Sequence, residues 1–374
     1  GLLTATFFGL PSGYAYLSVL IQGIIIYLNS SKINTSYQNI SKKVSLLKQY
    51  AALIKIIEKG DFKSEKLSGL QSKFMLGSTT ASDNLKKLSS YVNYLDFRYN
   101  IYFWIPLNLL TFWDIHWIRK TEKWREEHKG KVIQWFSALG EFEAFSSFAN
   151  MAFNNPGWVF PEVKQSGFLI EATEAGHPLL RPEQRVNNSF SINGKGKIML
   201  ITGSNMAGKS TFLRTVGVNA VLAMAGAPVC AKTFGISPIQ VFTSMRIIDS
   251  LEENASSFYA ELKRLKEIIE AVKTQDNIFF LLDEILRGTN SNDRHIGSKA
   301  LIKQMAKQQG NGIIATHDLE LGKLEEEMPQ HIDNYSFDVQ IKEGERLYFD
   351  YKLHPGICKS LNASILMKKM GIEV

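Results

Sequence analysis

Cysteine is scarce in this chain of 374 residues, which contains only Cys230 and Cys358. Two cysteines cannot form a disulfide framework, and neither has the closely spaced partner that a structural zinc site needs, so we expect a reducing compartment. Internal repeats and low-complexity tracts are also lacking, and the 45% hydrophobic and 21% charged content is that of a folded protein. Disordered and fibrous classes are thereby excluded, and the length predicts two or three domains. Because the chain begins at Gly1 without a methionine, we expect a fragment or a processed form.

Charged side chains are absent from residues 1–31. Residues 14–28 are dense in Ile, Leu and Tyr, and together with residues 7–10 they reach the ~20 apolar residues that a membrane-spanning helix needs. Tyrosines near both ends and Lys32 beyond them fit interfacial anchors and a cytoplasmic flank. Gln22 and two glycines favour the alternative, a buried helix of a larger domain. We expect residues 1–31 to form a hydrophobic segment that contacts a membrane, with the rest of the chain on its cytoplasmic side, and we keep the buried helix as the alternative.

Positive charge is concentrated in the first half of the chain. Residues 32–135 contain 18 Lys and Arg against 9 Asp and Glu, whereas residues 136–374 contain 25 against 27. A basic face of this kind suggests contact with phosphate, either in nucleic acid or in lipid headgroups. A solvated, lysine-rich helical surface is the alternative.

Residues 32–160 predict an all-α domain. Apolar residues recur at alternating steps of four and three over residues 40–54, and a similar spacing covers residues 85–95. Ser82 and Asp83 precede the second stripe and are candidate caps of its helix. We expect these helices to pack through their apolar stripes.

The rest of this domain contains one further helix and one uncharged stretch. Residues 120–152 predict a helix with Trp124 and Trp135 on its apolar side. Residues 99–113 carry no charge, but they are too few to span a membrane and include Pro106. We expect this stretch to pack in a core or against the first hydrophobic segment.

The sequence changes character between residues 155 and 161, where the run Asn-Asn-Pro-Gly-Trp and Pro161 mark a domain boundary. Short apolar strands alternate with helices from there on, which is typical of an α/β domain. The predicted elements are buried strands at residues 197–202, 278–282 and 312–316 and a helix at residues 210–225.

Residues 203–210 (GSNMAGKS) match the pattern G-x-x-x-x-G-K-S/T and lie between a predicted strand and a predicted helix, as this phosphate-binding loop requires. Glycines let backbone amides surround phosphate oxygens, and the helix N-terminus adds its positive dipole end. Lys209 would neutralise the β and γ phosphates, and Ser210 would ligate Mg²⁺. The candidate nucleotide-binding residues are Gly203, Ser204, Asn205, Met206, Ala207, Gly208, Lys209, Ser210 and Thr211.

Two acidic residues end the strand at residues 278–282, at the edge where ligands of open α/β sheets bind. Asp283 would hold the Mg²⁺ shell, and Glu284 would polarise the attacking water as general base. His317 follows the strand at residues 312–316 and would reach the γ-phosphate or that water. The predicted catalytic residues are therefore Lys209, Glu284 and His317, and the predicted metal ligands are Ser210 and Asp283.

These motifs resemble the ATPase domain of the MutS mismatch-repair family, which belongs to the ABC ATPase class. The resemblance is carried by GSNMAGKST, LLDEILRGTNSND and IIATHDLEL, and it covers about residues 170–374. It implies an α/β P-loop NTPase domain of ABC type over residues 161–374, with ATP and Mg²⁺ as cofactors. Residues 120–160 more weakly resemble the helical lever of that family, which implies an all-α lever and core domain ahead of the ATPase. Further matching segments are residues 176–178 (GHP), 226–231 (GAPVCA), 256–262 (SSFYAEL) and 351–372.

The resemblance also implies a homodimer in which two ATPase domains pair head to tail. Each nucleotide would then lie between the P-loop of one domain and the signature segment of the other, here at Ser256 and Ser257. Residues 355–372 would form a helical element that packs against the partner. The loop that crosses the dimer interface would consist of Asn290, Ser291, Asn292 and Asp293.

The sequence departs from the family in several places. Asn254 stands where the signature usually has glycine, and the aromatic residue that stacks on adenine ahead of the P-loop is replaced near Arg185 and Val186. No segment resembles the domain that inserts an aromatic residue into a mismatch. The transporter signature LSGGQ is absent too, which argues against a transporter motor.

The leading hypothesis is a MutS-family ATPase that couples ATP hydrolysis to the binding of mismatched or branched DNA through its helical arms. The alternative is a membrane-tethered, nucleotide-dependent switch whose basic helices bind lipid or a protein partner.

Overall fold

The computed structural model describes residues 12–41, 44–204, 206–245, 257–342 and 346–359. The chain divides into two units, residues 1–147 and 148–374, which are described separately. Residues 12–31 belong to the first unit and share one helix with residues 32–41.

The first unit is mainly helical. Its elements are α1 (Ser12–Ser41), α2 (Val44–Lys59), α3 (Glu65–Ser72), β1 (Met75–Leu76), β2 (Thr79–Thr80), α4 (Ala81–Leu95), a 3₁₀ turn (Asp96–Tyr99), α5 (Ile101–Thr111) and α6 (Trp113–Asn154), of which the last continues into the second unit.

The helices expected from the apolar stripes are present, and their apolar residues form the core of this unit. Its buried members include Ala51, Ile54, Leu85, Trp124 and Trp135. The antiparallel pair β1–β2 is an addition that the all-α prediction did not contain.

The cap of α4 differs from the prediction. Thr80, in an extended conformation, is the N-cap, and its side-chain oxygen accepts a hydrogen bond from the Asp83 amide. Ser82 and Asp83 lie inside the first turn, so their prediction as caps was wrong. Thr80 is the last residue of β2, so it already has the extended backbone that an N-cap needs.

The uncharged stretch of residues 99–113 contains α5, which lies against α1 as one of the two expectations had it. It does not enter a core: Ile101, Phe103 and Leu110 are exposed, and Asn108 is its one buried residue. A helix with apolar side chains on every side can bury only the face that its neighbour covers, which explains why α5 lies against α1 without entering a core.

The membrane expectation for residues 1–31 is not supported. Along the ranges described above, no helix combines the length with the apolar character that a bilayer crossing demands. In α1 the apolar run gives way to Asn29 and Ser30. The alternative of a buried helix is not observed either, since Leu17, Leu20 and Ile24 are exposed. Residues 1–11 lie outside the described residues.

The second unit is an α/β domain. Its elements are β3 (Glu162–Val163), β4 (Leu169–Ala175), β5 (Asn188–Asn193), β6 (Ile198–Gly203), α7 (Lys209–Met224), β7 (Thr233–Ile236), β8 (Gln240–Ser244), α8 (Ser257–Thr274), β9 (Ile278–Asp283), α9 (Ser291–Lys307), β10 (Asn311–Thr316), a 3₁₀ turn (Leu319–Lys323), α10 (Leu324–Glu327), β11 (Ile332–Phe337), β12 (Val339–Lys342), β13 (Arg346–Phe349) and β14 (His354–Pro355).

The main sheet has the strand order β14–β11–β6–β10–β9–β8, in which all neighbours except β14 and β11 are parallel. A second sheet has the order β3–β7–β4–β5, and β12 pairs with β13. The three strands predicted from sequence are adjacent at the centre of the main sheet. Asp283 pairs with Ala315, and Thr316 pairs with Thr202, so the carboxyl ends of these strands meet at one edge.

Both faces of the main sheet are buried, as the continuous apolar strands require. α7 packs on one face, and α8 and α9 cover the other. Alternate side chains of the central strands enter the two cores: Ile201, Leu281 and Ile313 enter the first, and Leu200, Leu282 and Ile314 the second.

Candidate active site

The phosphate-binding loop connects β6 to α7 at the carboxyl edge of the sheet. A Cβ atom at Gly203 would lie 2.6 Å from the Phe337 carbonyl oxygen, so only glycine lets β6 and β11 approach this closely. Gly208 is the N-cap of α7 with φ +107°, a conformation that L side chains rarely adopt. Met206, at φ +69°, is exposed. Asn205 lies outside the described residues.

Lys209 is buried at the start of α7. Its Nζ donates hydrogen bonds to the carbonyl oxygens of Gly203 at 2.7 Å and Ser204 at 2.9 Å. An ammonium has three donors, so one remains for a phosphate oxygen. Burial lowers the pKa of Lys209, and the nearby carboxylates of Glu284 and Asp283 oppose that shift. The loop itself thus orients this cation.

Asp283 and Glu284 follow one another at the end of β9. The Oδ1 atom of Asp283 is buried without a hydrogen-bond partner, so it can accept a ligand. Glu284 has φ +48°, and its amide donates to the Ala315 carbonyl at 2.9 Å. Its carboxylate forms an ion pair with Arg287. The Glu284 backbone is therefore held in a conformation that costs free energy, and its hydrogen bond to Ala315 secures it.

Contacts from α8 and α9 brace the acidic loop and the histidine loop. The Glu261 carboxylate on α8 accepts a hydrogen bond from the Leu286 amide at 2.6 Å. His317 Nδ1 lies 3.7 Å from Glu284 Oε2 and has no hydrogen-bond partner. The next residue, Asp318, contacts His295 Nδ1 of α9 at 2.6 Å. The structure thus brings Lys209, Glu284 and His317 together, although their catalytic roles remain predictions.

A cavity of about 570 Å³ lies over the P-loop and has the size of a small-molecule site. Its residues fall into a phosphate end, near Lys209 and Glu284, and a less polar end beside β5 and the β4–β5 connection. The phosphate end contains Ser204, Met206, Gly208, Lys209, Ser210, Thr211, Glu284 and Arg287, and the other end includes His177, Leu180, Val186 and Tyr351.

Tyr351 is a cavity residue that the sequence reasoning missed. Its ring would lie 3.1 Å from a Cβ atom at Gly208, and it stacks on Phe349. The Asn188 side chain on β5 donates to the Tyr351 carbonyl at 3.0 Å and accepts from the Leu353 amide at 2.8 Å. The resemblance implies an aromatic residue for base stacking before the P-loop, whereas Tyr351 lies after the P-loop in the sequence. The available signal was an aromatic residue at the start of the matching segment 351–372.

His177 also lines the cavity. Its Nδ1 accepts a hydrogen bond from the Leu179 amide at 3.2 Å. Burial lowers the pKa of His177, and the positive charge of Arg214 lowers it further. The neutral ring therefore carries its proton on Nε2 and can donate one hydrogen bond.

The residues present fit Mg²⁺ bound together with a nucleotide. Ser210 and Asp283 offer oxygen ligands, which Mg²⁺ prefers, and Asp283 Oδ1 is the orphaned buried atom noted above. The described ranges contain no group of three or more His, Cys, Asp or Glu that would hold a metal alone. Mg²⁺ in phosphate sites takes one or two protein ligands and completes its shell with phosphates and water, so this pair of residues suffices.

The signature and interface segments are described only in part. Ser256 and Asn254 lie outside the described residues, and Ser257 is the first residue of α8. Asn290 caps α9 by accepting a hydrogen bond from the Asp293 amide at 2.9 Å. The whole predicted interface loop, Asn290 to Asp293, is exposed. Of residues 355–372, the structure describes 355–359.

Comparison with known proteins agrees with the motifs. Residues 199–370 match the family model of MutS domain V. The DNA mismatch repair protein MutS of Persephonella marina is 30% identical over 260 residues, which are 68% of this chain and 29% of that protein. The protein of the same name from Chlorobium phaeovibrioides is 34% identical over 227 residues, 59% of this chain and 25% of that protein. The one from Thermotoga maritima is 30% identical over 255 residues, 67% of this chain and 30% of that protein.

These matches support the assignment of this part of the chain to the MutS family. The chain spans less than a third of the length of these relatives.

Proposed function

We propose that this chain binds ATP together with Mg²⁺ and hydrolyses it to ADP and phosphate. The observation that carries the proposal is the meeting of Lys209, the Asp283–Glu284 pair and His317 at one edge of the sheet, beside a cavity of about 570 Å³. A passive nucleotide binder needs the P-loop but has no need of a carboxylate and a histidine at the phosphate end.

The side chains have separate tasks. The N-terminus of α7 and Lys209 bind the phosphates, and bound Mg²⁺, held by Ser210 and Asp283, supplies positive charge that stabilises the phosphate oxygens. Glu284 takes a proton from the attacking water as the water oxygen bonds to the γ-phosphorus and the bond to the ADP oxygen breaks. His317, within 3.7 Å of Glu284, orients that water or the γ-phosphate. Tyr351 stacks on the base.

The first test compares two variants by calorimetry and phosphate release. Lys209→Ala loses a buried cation, so we expect ATP binding itself to be lost. Glu284→Gln keeps the size of the side chain but lacks the general base. We therefore expect ATP to bind while turnover falls about 10²- to 10⁴-fold. Exposed residues provide matched controls, Lys195→Ala and Glu270→Gln. Turnover by both site variants at the parental rate contradicts the proposal.

We also propose that two ATPase domains associate head to tail around the nucleotide and that hydrolysis is coupled to DNA. The association is what the resemblance of the motifs implies. The DNA half is supported by the name of the relatives, DNA mismatch repair protein MutS, and by the basic excess of residues 32–135. A titration of DNA binding against salt tests the second half, because a phosphate-dominated complex weakens steeply as salt rises. Absence of binding at low salt contradicts it while leaving the ATPase proposal intact.

A further inference from the structure

A basic cleft lies at the start of α6, in the first unit, and shares no lining residue with the nucleotide cavity. It has a volume of about 340 Å³. Phe112, in the left-handed conformation at φ +50°, redirects the chain between α5 and α6 and thereby forms one wall. The lining consists of Thr111, Phe112, Ile115, His116, Arg119, Lys120 and Lys123, with no acidic residue among them.

The four basic residues share one face of α6. His116, Arg119, Lys120 and Lys123 follow the spacing of three and four residues at which helical side chains are neighbours. From first to last they extend over eight residues, or seven steps and ~10 Å of helix. That length exceeds one phosphate group and suits successive phosphates of a polymer.

Little negative charge balances this face. Lys123 has a distant partner, Glu127, at 3.8 Å, and such exposed pairs contribute little. Among the residues for which the structure gives side chains, His116 and Arg119 have no carboxylate within ion-pair distance. Lys120 lies over the ring of Trp117, with Nζ 4.5 Å from its centroid. The cleft thus presents the exposed cations Arg119, Lys120 and Lys123 with little neutralising charge beside them, and an anion would stabilise this arrangement.

Aromatic rings border the basic face. Trp117 stacks on Tyr94 with centroids 4.3 Å apart, and Tyr94 is exposed. Trp113 lies edge-on to both rings. Cations beside an exposed aromatic ring, here Tyr94, are a combination used by proteins that bind nucleic acid strands.

We propose that this basic cleft binds the phosphodiester backbone of DNA. The inference rests on the proposed function, since it assigns a place to the DNA contact. A free phosphate would leave most of the ~10 Å face unused. A concave cleft flanked by stacking rings suits an entering strand better than it suits the flat plane of lipid headgroups.

The test compares two double variants in the full chain. Arg119→Gln/Lys123→Gln removes two cleft charges, and Lys129→Gln/Lys131→Gln removes two exposed charges farther along the same helix. Fluorescence anisotropy measures the affinity for a labelled oligonucleotide at several salt concentrations. For a single-stranded oligonucleotide, each phosphate contact contributes about 0.7 to the slope of log affinity against log salt, so the cleft variant should lose about 1.4 from that slope while the control retains it. Both variants should hydrolyse ATP at the parental rate, since neither touches the nucleotide cavity.

Three results would overturn the proposal, and they are distinguishable. If the cleft variant keeps the parental salt slope, the cleft does not bind DNA, although DNA binding by the chain still stands. Absence of DNA binding by the parent at low salt removes both the site and the DNA half of the proposed function, without affecting ATP hydrolysis. Binding of phosphatidylserine vesicles but not of DNA, lost in the cleft variant, reassigns the cleft to lipid headgroups.

Discussion

At the scale of single residues, the nucleotide cavity combines side chains that are far apart in the sequence. His177 precedes the P-loop, Lys209 lies within it, Glu284 follows β9 and Tyr351 follows β13. In the proposed function each would meet a different part of the nucleotide, so single substitutions should separate base binding from phosphate binding and from hydrolysis.

Tyr351→Ala should weaken ATP binding, because base stacking on an aromatic ring contributes about 1–3 kcal/mol. We therefore expect the Kd for ATP to rise about fivefold or more. Tyr351→Phe keeps the ring and should retain parental affinity. Calorimetry with inorganic tripolyphosphate, which has no base, is the control. If Tyr351→Ala lowers the affinity for tripolyphosphate as much as the affinity for ATP, Tyr351 supports the P-loop and does not bind the base.

His177 should make stability depend on pH. Burial lowers its pKa below the ordinary value of 6.5, so the unfolded chain takes up a proton more readily than the native state. Stability is then complete above about pH 6.5 and declines as the pH falls toward the lowered pKa. We expect His177→Gln to flatten the decline in thermal midpoint between about pH 7 and pH 5.

Glu327, whose pKa is also shifted, acts at lower pH than this window. Lys299 and Lys303 hold the pKa of Glu327 at about 2, below its usual 4.5, so its contribution is lost only as the pH falls below 4.5. Parallel declines of the parent and His177→Gln from pH 7 to pH 5 would therefore exclude His177 as the responsible group.

At the scale of elements, the parallel sheet decides which residues meet. The carboxyl ends of β6, β9 and β10 lie side by side and present the P-loop, the acidic pair and His317 at one edge. α8 and α9 then fix the loops, through Glu261 to the Leu286 amide and through His295 to Asp318. The helices that begin at the predicted signature and interface segments thus contact the loops that carry the predicted catalytic residues.

The contact of His295 with Asp318 should position His317 without binding substrate. His295→Leu removes a hydrogen bond of about 1 kcal/mol, so we expect kcat to fall about fivefold with little change in KM. His295→Asn places an amide donor near the position of Nδ1 and should restore most of kcat. A rise in KM with unchanged kcat, or no rescue by asparagine, would contradict this positioning role.

At the scale of the whole molecule, one chain contains two units with separate hydrophobic cores. The loop of Asn290 to Asp293 is exposed at the start of α9, next to the edge of the sheet where the nucleotide would bind. If the γ-phosphate is shared between two chains, nucleotide binding must be linked to association.

ATP should therefore drive dimerisation. We expect Glu284→Gln with ATP and Mg²⁺ to sediment as a dimer, and Lys209→Ala to remain monomeric. Asn292→Arg in the Glu284→Gln background places a large cation in the interface loop and should raise the dimer dissociation constant about tenfold or more. Asn193→Arg, at an exposed end of β5, is the matched control. Equal association of the two arginine variants would exclude this loop from the interface.

The sequence alone determined the elements whose signal is local. The P-loop follows from eight consecutive residues, the acidic pair from the end of one apolar run, and the first-unit helices from the spacing of their apolar side chains. Such features depend on backbone sterics and on which side of a helix or strand is apolar, and both are properties of short segments.

Only the tertiary structure decided what depends on distant partners. The strand order, the arrival of Tyr351 at the P-loop, the bracing of Leu286 by Glu261 and the exposure of α5 each depend on residues that are remote in sequence or on the area a neighbour happens to cover. No local pattern encodes them, because their free energy arises from packing and hydrogen bonds that exist only after the chain has folded.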